Sequence, residues 1–306
     1  MSQDPFPFIS VIIPMFNRES LIADTINSVL QQTIEIPFEI IVVDDGSQDS
    51  SAKVVADIKD SRVSYCYQKN SGANRARNHG VEKARGTFVA FLDSDDTFLP
   101  NHLKQCYQQV SNSRNIVVYS KIIVDRGNGN MFTKPPRALS ENEHMSEYLL
   151  CDRGFLQTST LFMSRDLAKS VKFDEELPFG QDTDFAIRLY SHGAQFVMLD
   201  NPTVIWRDLA DNKRVSSSTS FLVREAWLEK SKGIITSRAD IGDRGWFVAK
   251  AYARNGKYMK AASLYLNAVT KGCYSFKLSL TIGFQIFFPP SLFRKMADVY
   301  VSKFKK

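Results

Sequence analysis

Short apolar runs alternate with amphipathic stretches through the first half of the chain. Residues 8–13 form an apolar run stopped by Pro14, which predicts a buried strand. Over 18–32, Leu21, Ile22, Ile26, Val29 and Leu30 recur at helical spacing. The run 38–43 predicts a second strand, and Asp49 or Ser50 can cap a helix carrying Val54, Val55 and Ile58. A short strand over 63–67, a helix over 73–84 that stops at Gly86, and a strand over 88–92 continue the alternation. Such repetition implies βαβ units and a mostly parallel sheet covered on both faces. Pro100 opens a helix with Leu103 and Val110, 116–124 reads as a strand, and 125–137 reads as a loop rich in Gly, Asn and Pro. Strands over 159–163, 195–199 and 203–206 and a helix over 182–192 follow. Residues 208–219 are polar and serine-rich, a lid loop or a linker, and after Phe221 the chain reads as helical. The expected fold class is α/β, with one domain over 1–225 and a helical region over 226–306.

Two of the strands end in acid. Asp44-Asp45-Gly46-Ser47 follows the second, and Asp93-Ser94-Asp95-Asp96 follows the fourth. In an open α/β sheet, ligands sit outside the carboxyl ends of the strands. Clustered carboxylates raise one another's pKa, and a cation relieves the repulsion. Taken alone, Asp-Asp-Gly-Ser is a common strand-to-turn junction with a helix cap. Three carboxylates in four residues are more than a cap needs, so the second cluster points to a divalent metal.

Composition narrows the class. A hydrophobic fraction of 43% with 24% charged residues is ordinary for a soluble globular chain. Cys66, Cys106, Cys151 and Cys273 lie far apart with no CxxC pair, which argues against a zinc site or a disulfide framework and for reduced thiols in a cytosolic compartment. The N-terminus lacks the basic and apolar regions of a secretory signal. The net charge of +6 sits in the tail, where Lys271, Lys277, Arg294, Lys295, Lys303, Lys305 and Lys306 face a single acid, Asp298. A neutral body with a basic tail suits an anionic surface better than nucleic acid.

Five motifs occur in one order: Val11–Asn17 (VIIPMFN), Val42–Ser47 (VVDDGS), Ala76–Gly80 (ARNHG), Phe91–Asp96 (FLDSDD) and Gly180–Phe185 (GQDTDF). Over roughly 8–225 the chain resembles the family 2 glycosyltransferases, inverting enzymes of the GT-A fold. The resemblance implies a nucleotide-sugar donor, with UDP as the expected carrier, and Mn²⁺ or Mg²⁺ as cofactor. It implies that Pro14 meets the nucleotide, that Asp45 accepts a hydrogen bond from the uracil ring nitrogen, and that Asp44 supports that loop. Arg77 and Asn78 are expected beside the donor, with Arg75 a weaker candidate. Asp93 and Asp95 match the family's DxD pair, Asp95 as the metal ligand and Asp93 toward ribose or a metal-bound water. A hard cation of this kind chooses carboxylate oxygen and neutralises the departing diphosphate. Asp182 matches the general base, which takes the acceptor hydroxyl's proton and must lie within hydrogen-bond reach of it.

The chain departs from the family pattern twice. Gln181 stands where relatives have Glu before the base, which makes Asp184 a candidate supporter of Asp182. No histidine follows Trp206-Arg207, and Asp208, Asp211 or Arg214 could substitute. His79, His102, His144 and His192 show no ligand spacing and read as structural.

Residues 246–262 resemble one tetratricopeptide-type hairpin, and a single copy cannot build a solenoid. Residues 276–296 combine aromatic and aliphatic side chains with Lys and Arg. They read either as an in-plane interfacial helix on anionic lipid or as a helix docked on the rest of the chain. The expected acceptor is a lipid-linked or cell-surface glycan at the inner face of the cytoplasmic membrane. A catalytically silent scaffold of the same fold is the alternative. A nucleotidyltransferase would want a glycine-rich phosphate loop after the first strand, and an oxidoreductase a G-x-G-x-x-G; Pro14-Met15-Phe16-Asn17-Arg18 is neither.

Overall fold

The structure, a computed structural model, describes residues 8–110, 114–127, 129–208 and 221–289. The opening alternation folds as expected: β1 (Ile9–Met15), α1 (Ile22–Leu30), β2 (Phe38–Asp44), α2 (Ser51–Asp57), β3 (Val63–Tyr67), α3 (Ala73–Lys83) and β4 (Phe88–Phe91). These four strands are parallel, with β1 between β2 and β4, and every residue of β1, β2 and β4 is buried. Burial on both faces is why these strands read as continuous apolar runs rather than alternating ones.

The second half makes the sheet mixed. β5 (Thr97–Phe98), α4 (His102–Val110), β6 (Ile116–Asp125), β7 (Met131–Lys134), α5 (Met145–Leu150), β8 (Phe162–Ser164), α6 (Arg165–Val171), α7 (Gln181–Ser191) and β9 (Gln195–Arg207) follow. The strand order is β3-β2-β1-β4-β8-β6-β9-β5, with β7 paired to β6. β8 runs antiparallel to both β4 and β6, and β9 runs parallel to β6. The carboxyl ends of β1, β2, β4, β6 and β9 therefore share one edge.

Three local expectations change. The segment 125–137 is not all loop, because β7 pairs with β6 and sets Phe132 opposite Val124, whose other neighbour is Trp206. That apolar row across three strands supplies a reason to pair that the Gly and Asn content hides. Residues Thr158–Thr160 wind into a 3-10 turn, so the strand expected from 159 begins at Phe162. The two closing strands are one, β9, with its irregularity opposite Ser120 and Ile122.

The chain divides into two compact units. Of the described residues, the first unit takes those within Met1–Gly127, Met131–Ala138 and Leu156–Leu209. The second takes those within Asn128–Asn130, Leu139–Phe155 and Ala210–Lys306. A single cut at 225 differs from this division chiefly in residues 139–155. The reason is specific: α5 is tied to the later helices, with Glu147 accepting from Thr236 Oγ1 at 2.8 Å and from Arg238 at 2.6 Å.

The second unit is helical: α8 (Phe221–Lys230), α9 (Ser237–Asp243), a π turn over Arg244–Val248, α10 (Ala249–Arg254), α11 (Tyr258–Thr270) and α12 (Phe276–Phe287). Gly245 permits a close crossing, since a Cβ there would stand 2.3 Å from that of Ala268 on α11. One face of α12 packs inward through Leu278, Ile282 and Ile286, while Phe276 and Leu280 on the other face are 81% and 60% exposed. Among the described residues, no helix is long and apolar enough to cross a membrane.

Candidate active site

The two acidic clusters lie at the shared carboxyl edge and are built differently. Asp44 ends β2, where its Oδ1 accepts the Ser47 N–H at 2.8 Å and its Oδ2 the Tyr65 hydroxyl at 2.7 Å. Asp45 is also buried; its Oδ1 accepts from Gln68 Nε2 and the Ser71 N–H, and its Oδ2 from the Gly72 N–H, each at 2.8 Å. Gly72 caps the N-terminus of α3, where the helix dipole favours a carboxylate. Gly46 sits at φ +81°, and a Cβ there would lie 2.8 Å from the Asn70 backbone nitrogen. Hydrogen bonds reach both oxygens of each carboxylate in this cluster. Pro14, beside Val43 of β2 in register, is buried past the point where β4 ends.

The second cluster spreads over three environments. Asp93 Oδ1 receives a 2.6 Å bond from Arg77. Asp95 is about one-third exposed and faces Arg18 at 3.4 Å. Asp96 is fully buried; its Oδ2 accepts from Gln157 Nε2 at 2.8 Å and from Ser159 Oγ at 2.7 Å, while its Oδ1 has no hydrogen-bond partner. Burial first, then the charges of Asp93 and Asp95, push its carboxyl well above the usual range.

Arg77 is the hub. It is 2% exposed, bonds Asn74 Oδ1 at 3.1 Å besides Asp93, and lies over the Phe173 ring. Burial disfavours its charge, but Asp93, Asp182 and Asp95 outweigh that and raise its pKa further. Phe173 stacks on Phe185 of α7 and meets Phe91 of β4 edge-on, so one aromatic cluster underlies the hub. The Asn78 amide donates to Phe173 O and Glu175 Oε1 and its Oδ1 accepts the Phe173 N–H, which braces loop 173–175. Arg75 is exposed and stands 3.8 Å from Glu175.

Asp182 lies in the first turn of α7, after Gly180 in the left-handed region. Its Oδ1 accepts from both the hydroxyl and the backbone N–H of Thr158, the latter at 3.2 Å. Burial raises its pKa, Arg77 lowers it, Asp93 raises it and the Thr158 bonds lower it, for a net upward shift. A raised carboxylate pKa suits a base working near neutrality. Asp184, the candidate supporter, is buried and pairs with Arg188, one turn on, at 2.6 Å. Of the proposed stand-ins for histidine, Asp208 pairs with Arg126 at 3.3 Å, while Asp211 and Arg214 lie outside the described residues. Arg207 pairs with Asp24.

Among the described residues, no cluster of three or more His, Cys, Asp or Glu side chains could hold a metal as a protein-only cage. The donor set still fits Mn²⁺ or Mg²⁺ bound through one or two carboxylates plus substrate phosphate, with Asp95 accessible and Asp93 having one oxygen engaged by Arg77. Asp96 is enclosed, and its Oδ2 is taken by Gln157 and Ser159. A pocket of about 440 Å³ lies at the opposite edge, among Phe8, Phe38, Arg62 and Arg85, where β1 and β2 begin.

Residues 10–172 match the sequence profile described as glycosyl transferase family 2. The chain belongs to that family. It is 29% identical over 264 residues to the amylovoran biosynthesis glycosyltransferase AmsB of Erwinia amylovora, which covers 83% of this chain and 87% of AmsB. It is 29% identical over 216 residues to the uncharacterised glycosyltransferase EpsJ of Bacillus subtilis, covering 66% of this chain and 61% of EpsJ. The structure of S. aureus TarS 1–349 in complex with UDP-GlcNAc superposes with a TM-score of 0.63 at 20% identity, covering 96% of this chain and 91% of TarS 1–349. The family 2 chain thus has the GT-A fold with a helical C-terminal region, and is a glycosyltransferase. The profile match ends before Asp182, so the base rests on the GQDTDF motif and on its geometry.

Proposed function

We propose that this family 2 enzyme moves a sugar, with inversion, from a UDP-linked donor to a hydroxyl of a lipid-linked or cell-surface glycan. One observation carries the reading: Arg77, Asp93 and Asp182, from three separate elements, converge at the carboxyl edge of the sheet. Pro14, Asp44 and Asp45 form the nucleotide end. Oδ2 of Asp45 takes one bond, from Gly72, and keeps a lone pair for the uracil N3–H. UDP is favoured because TarS, of the same fold, has a complex with UDP-GlcNAc.

Asp95, with Asp93 beside it, would hold Mn²⁺ or Mg²⁺, which when bound neutralises the diphosphate's growing charge. Arg77 holds Asp93 in place through a 2.6 Å bond. Asp182 accepts the proton of the acceptor hydroxyl, and attack opposite the diphosphate inverts the anomeric carbon. A polysaccharide acceptor follows from likeness to AmsB, whose name places it in amylovoran biosynthesis.

The exposed Phe276, Leu280 and Phe288 around α12, with Lys271 and Lys277 nearby in sequence, support docking on an anionic membrane face. The remaining tail cations, Arg294, Lys295, Lys303, Lys305 and Lys306, lie outside the described residues. A thermal-shift panel of UDP-, GDP- and dTDP-sugars with and without Mn²⁺ tests the donor end. The expected result is metal-dependent stabilisation by a UDP-sugar, because a ligand that binds only the native state raises the melting point. Stabilisation by no UDP-sugar contradicts the reading. The silent-scaffold alternative fails if the stabilising donor is turned over.

A further inference from the structure

Asp182 lacks the acidic neighbour its family usually supplies, yet one of its oxygens is held. Both donors on it come from one residue, Thr158, which is fully buried 24 positions earlier in the chain. A carboxylate only accepts, so the Thr158 hydroxyl must donate. Both bonds fall on Oδ1.

The residues flanking Thr158 reach the other way. Gln157 Nε2 and Ser159 Oγ donate to Asp96 Oδ2, and Ser159 Oγ accepts the Asp93 N–H at 3.0 Å. Gln157, Thr158 and Ser159 are each buried. One tight turn thus fastens the DxD loop with its outer two residues and the base with its middle one.

We propose that Thr158 is the positioning residue of the base, fixing Asp182 by Oδ1 so that Oδ2 receives the acceptor's proton. This rests on the reading of Asp182 as the base. In the step, the acceptor oxygen bonds to the anomeric carbon and the bond from that carbon to the diphosphate oxygen breaks. The leaving electron pair departs on the diphosphate, and the hydroxyl proton passes to Oδ2. A base displaced by about 1 Å loses on the order of 100-fold in rate.

The test uses the full chain and the nucleotide-sugar that stabilises it most in the panel above, with Mn²⁺, following nucleoside diphosphate release. Thr158→Val keeps shape and backbone N–H but loses the hydroxyl; Thr158→Ser keeps the donor. The expected result is a fall in kcat of about 10- to 100-fold for Val with donor KM within twofold, and recovery to within about threefold for Ser. The acidic limb of the kcat profile also moves to higher pH in Val, since a bond that favours the ionised base is gone. Arg77 and Asp93, the charged groups facing Asp182, are unchanged in both variants.

An unchanged kcat in Val, or a Ser variant as slow as Val, overturns the proposal. If Val does not fold, Ser alone decides: activity near that of the parent chain supports the hydroxyl, and a loss as large as that of Thr158→Ala refutes it. Asp182→Asn, run in parallel, separates the two ideas. Transfer that survives Asp182→Asn sinks the base itself, whereas loss there with none in Thr158→Val sinks only the positioning role.

Discussion

Arg75 and Arg77 stand two residues apart on α3, and the structure gives them opposite weights. Arg77→Met keeps the stem over Phe173 but removes the buried guanidinium from between Asp93, Asp95 and Asp182. Breaking a buried ion pair by deleting one partner costs about 3–5 kcal/mol, because the other charge is left uncompensated. Asp93 is 27% exposed, so water reaches it and the lower end, about 3 kcal/mol, applies. At about 2–4 °C per kcal/mol for a unit of this size, the melting point falls by about 6–12 °C. Arg75→Met is the control: its ion pair with Glu175 is exposed and 3.8 Å long, so its loss costs at most about 0.5 kcal/mol. Arg77→Lys restores the charge but not both bonds, and recovers part of the loss. Thermal unfolding of all three at pH 7.5 is the assay. An Arg77→Met chain as stable as Arg75→Met refutes the hub.

Burial and the charges of Asp93 and Asp95 disfavour the ionised form of Asp96, so Asp96→Asn is expected to stay within about 1 kcal/mol of the parent in urea unfolding. Asp96→Leu strands the donors of Gln157 and Ser159 and loses about 1–3 kcal/mol for each; equal losses in the two variants contradict the assignment. His102 is enclosed and its pKa is pushed down to about 3 by burial, while an unfolded histidine titrates near about 6.5. As pH falls toward and below that value the unfolded chain takes the proton first, so native stability drops by roughly 2 kcal/mol between pH 7 and pH 5. The urea midpoint of His102→Gln is expected to fall less than that of the parent between pH 7 and pH 5, and a parallel fall counts against the reading. On α12, Phe276→Ser with Leu280→Ser is expected to weaken co-sedimentation with phosphatidylglycerol vesicles at least tenfold, from about 1.5–3 kcal/mol of burial per side chain. Unchanged sedimentation removes α12 from the membrane contact.

The parallel half of the sheet is legible because β1, β2 and β4 are buried on both faces and α1 carries one apolar stripe. What sequence could not show were pairings set by distance in the fold. Only the resemblance separates Asp95 from Asp93 in the sequence, and Asp96 receives no role; in the fold one is paired with Arg77, one faces Arg18 in a part-exposed position and one is enclosed. Burial separates them, and burial at a strand's end depends on the turn at 157–159, which lies some 60 residues on. Asp184 was a reasonable candidate to support the base by proximity along the chain. At i, i+4 it instead meets Arg188, the common helical pair. Thr158 gave no signal, since an isolated threonine before a strand has no reason to be singled out until the fold brings α7 beside it. Asn78 was found by its motif, but the motif does not say which way an amide points.

The account turns on Asp182 as the base of a glycosyl transfer. The measurement that tests it most directly is nucleoside diphosphate release from the stabilising UDP-sugar by Asp182→Asn, with donor affinity measured by calorimetry on the same sample. Removing a general base costs about 10²–10⁴ in rate. The account expects release to fall by at least 100-fold while donor affinity stays within about threefold, since no proposed donor contact uses Asp182. Release at the parent rate, with the donor bound as before, contradicts it.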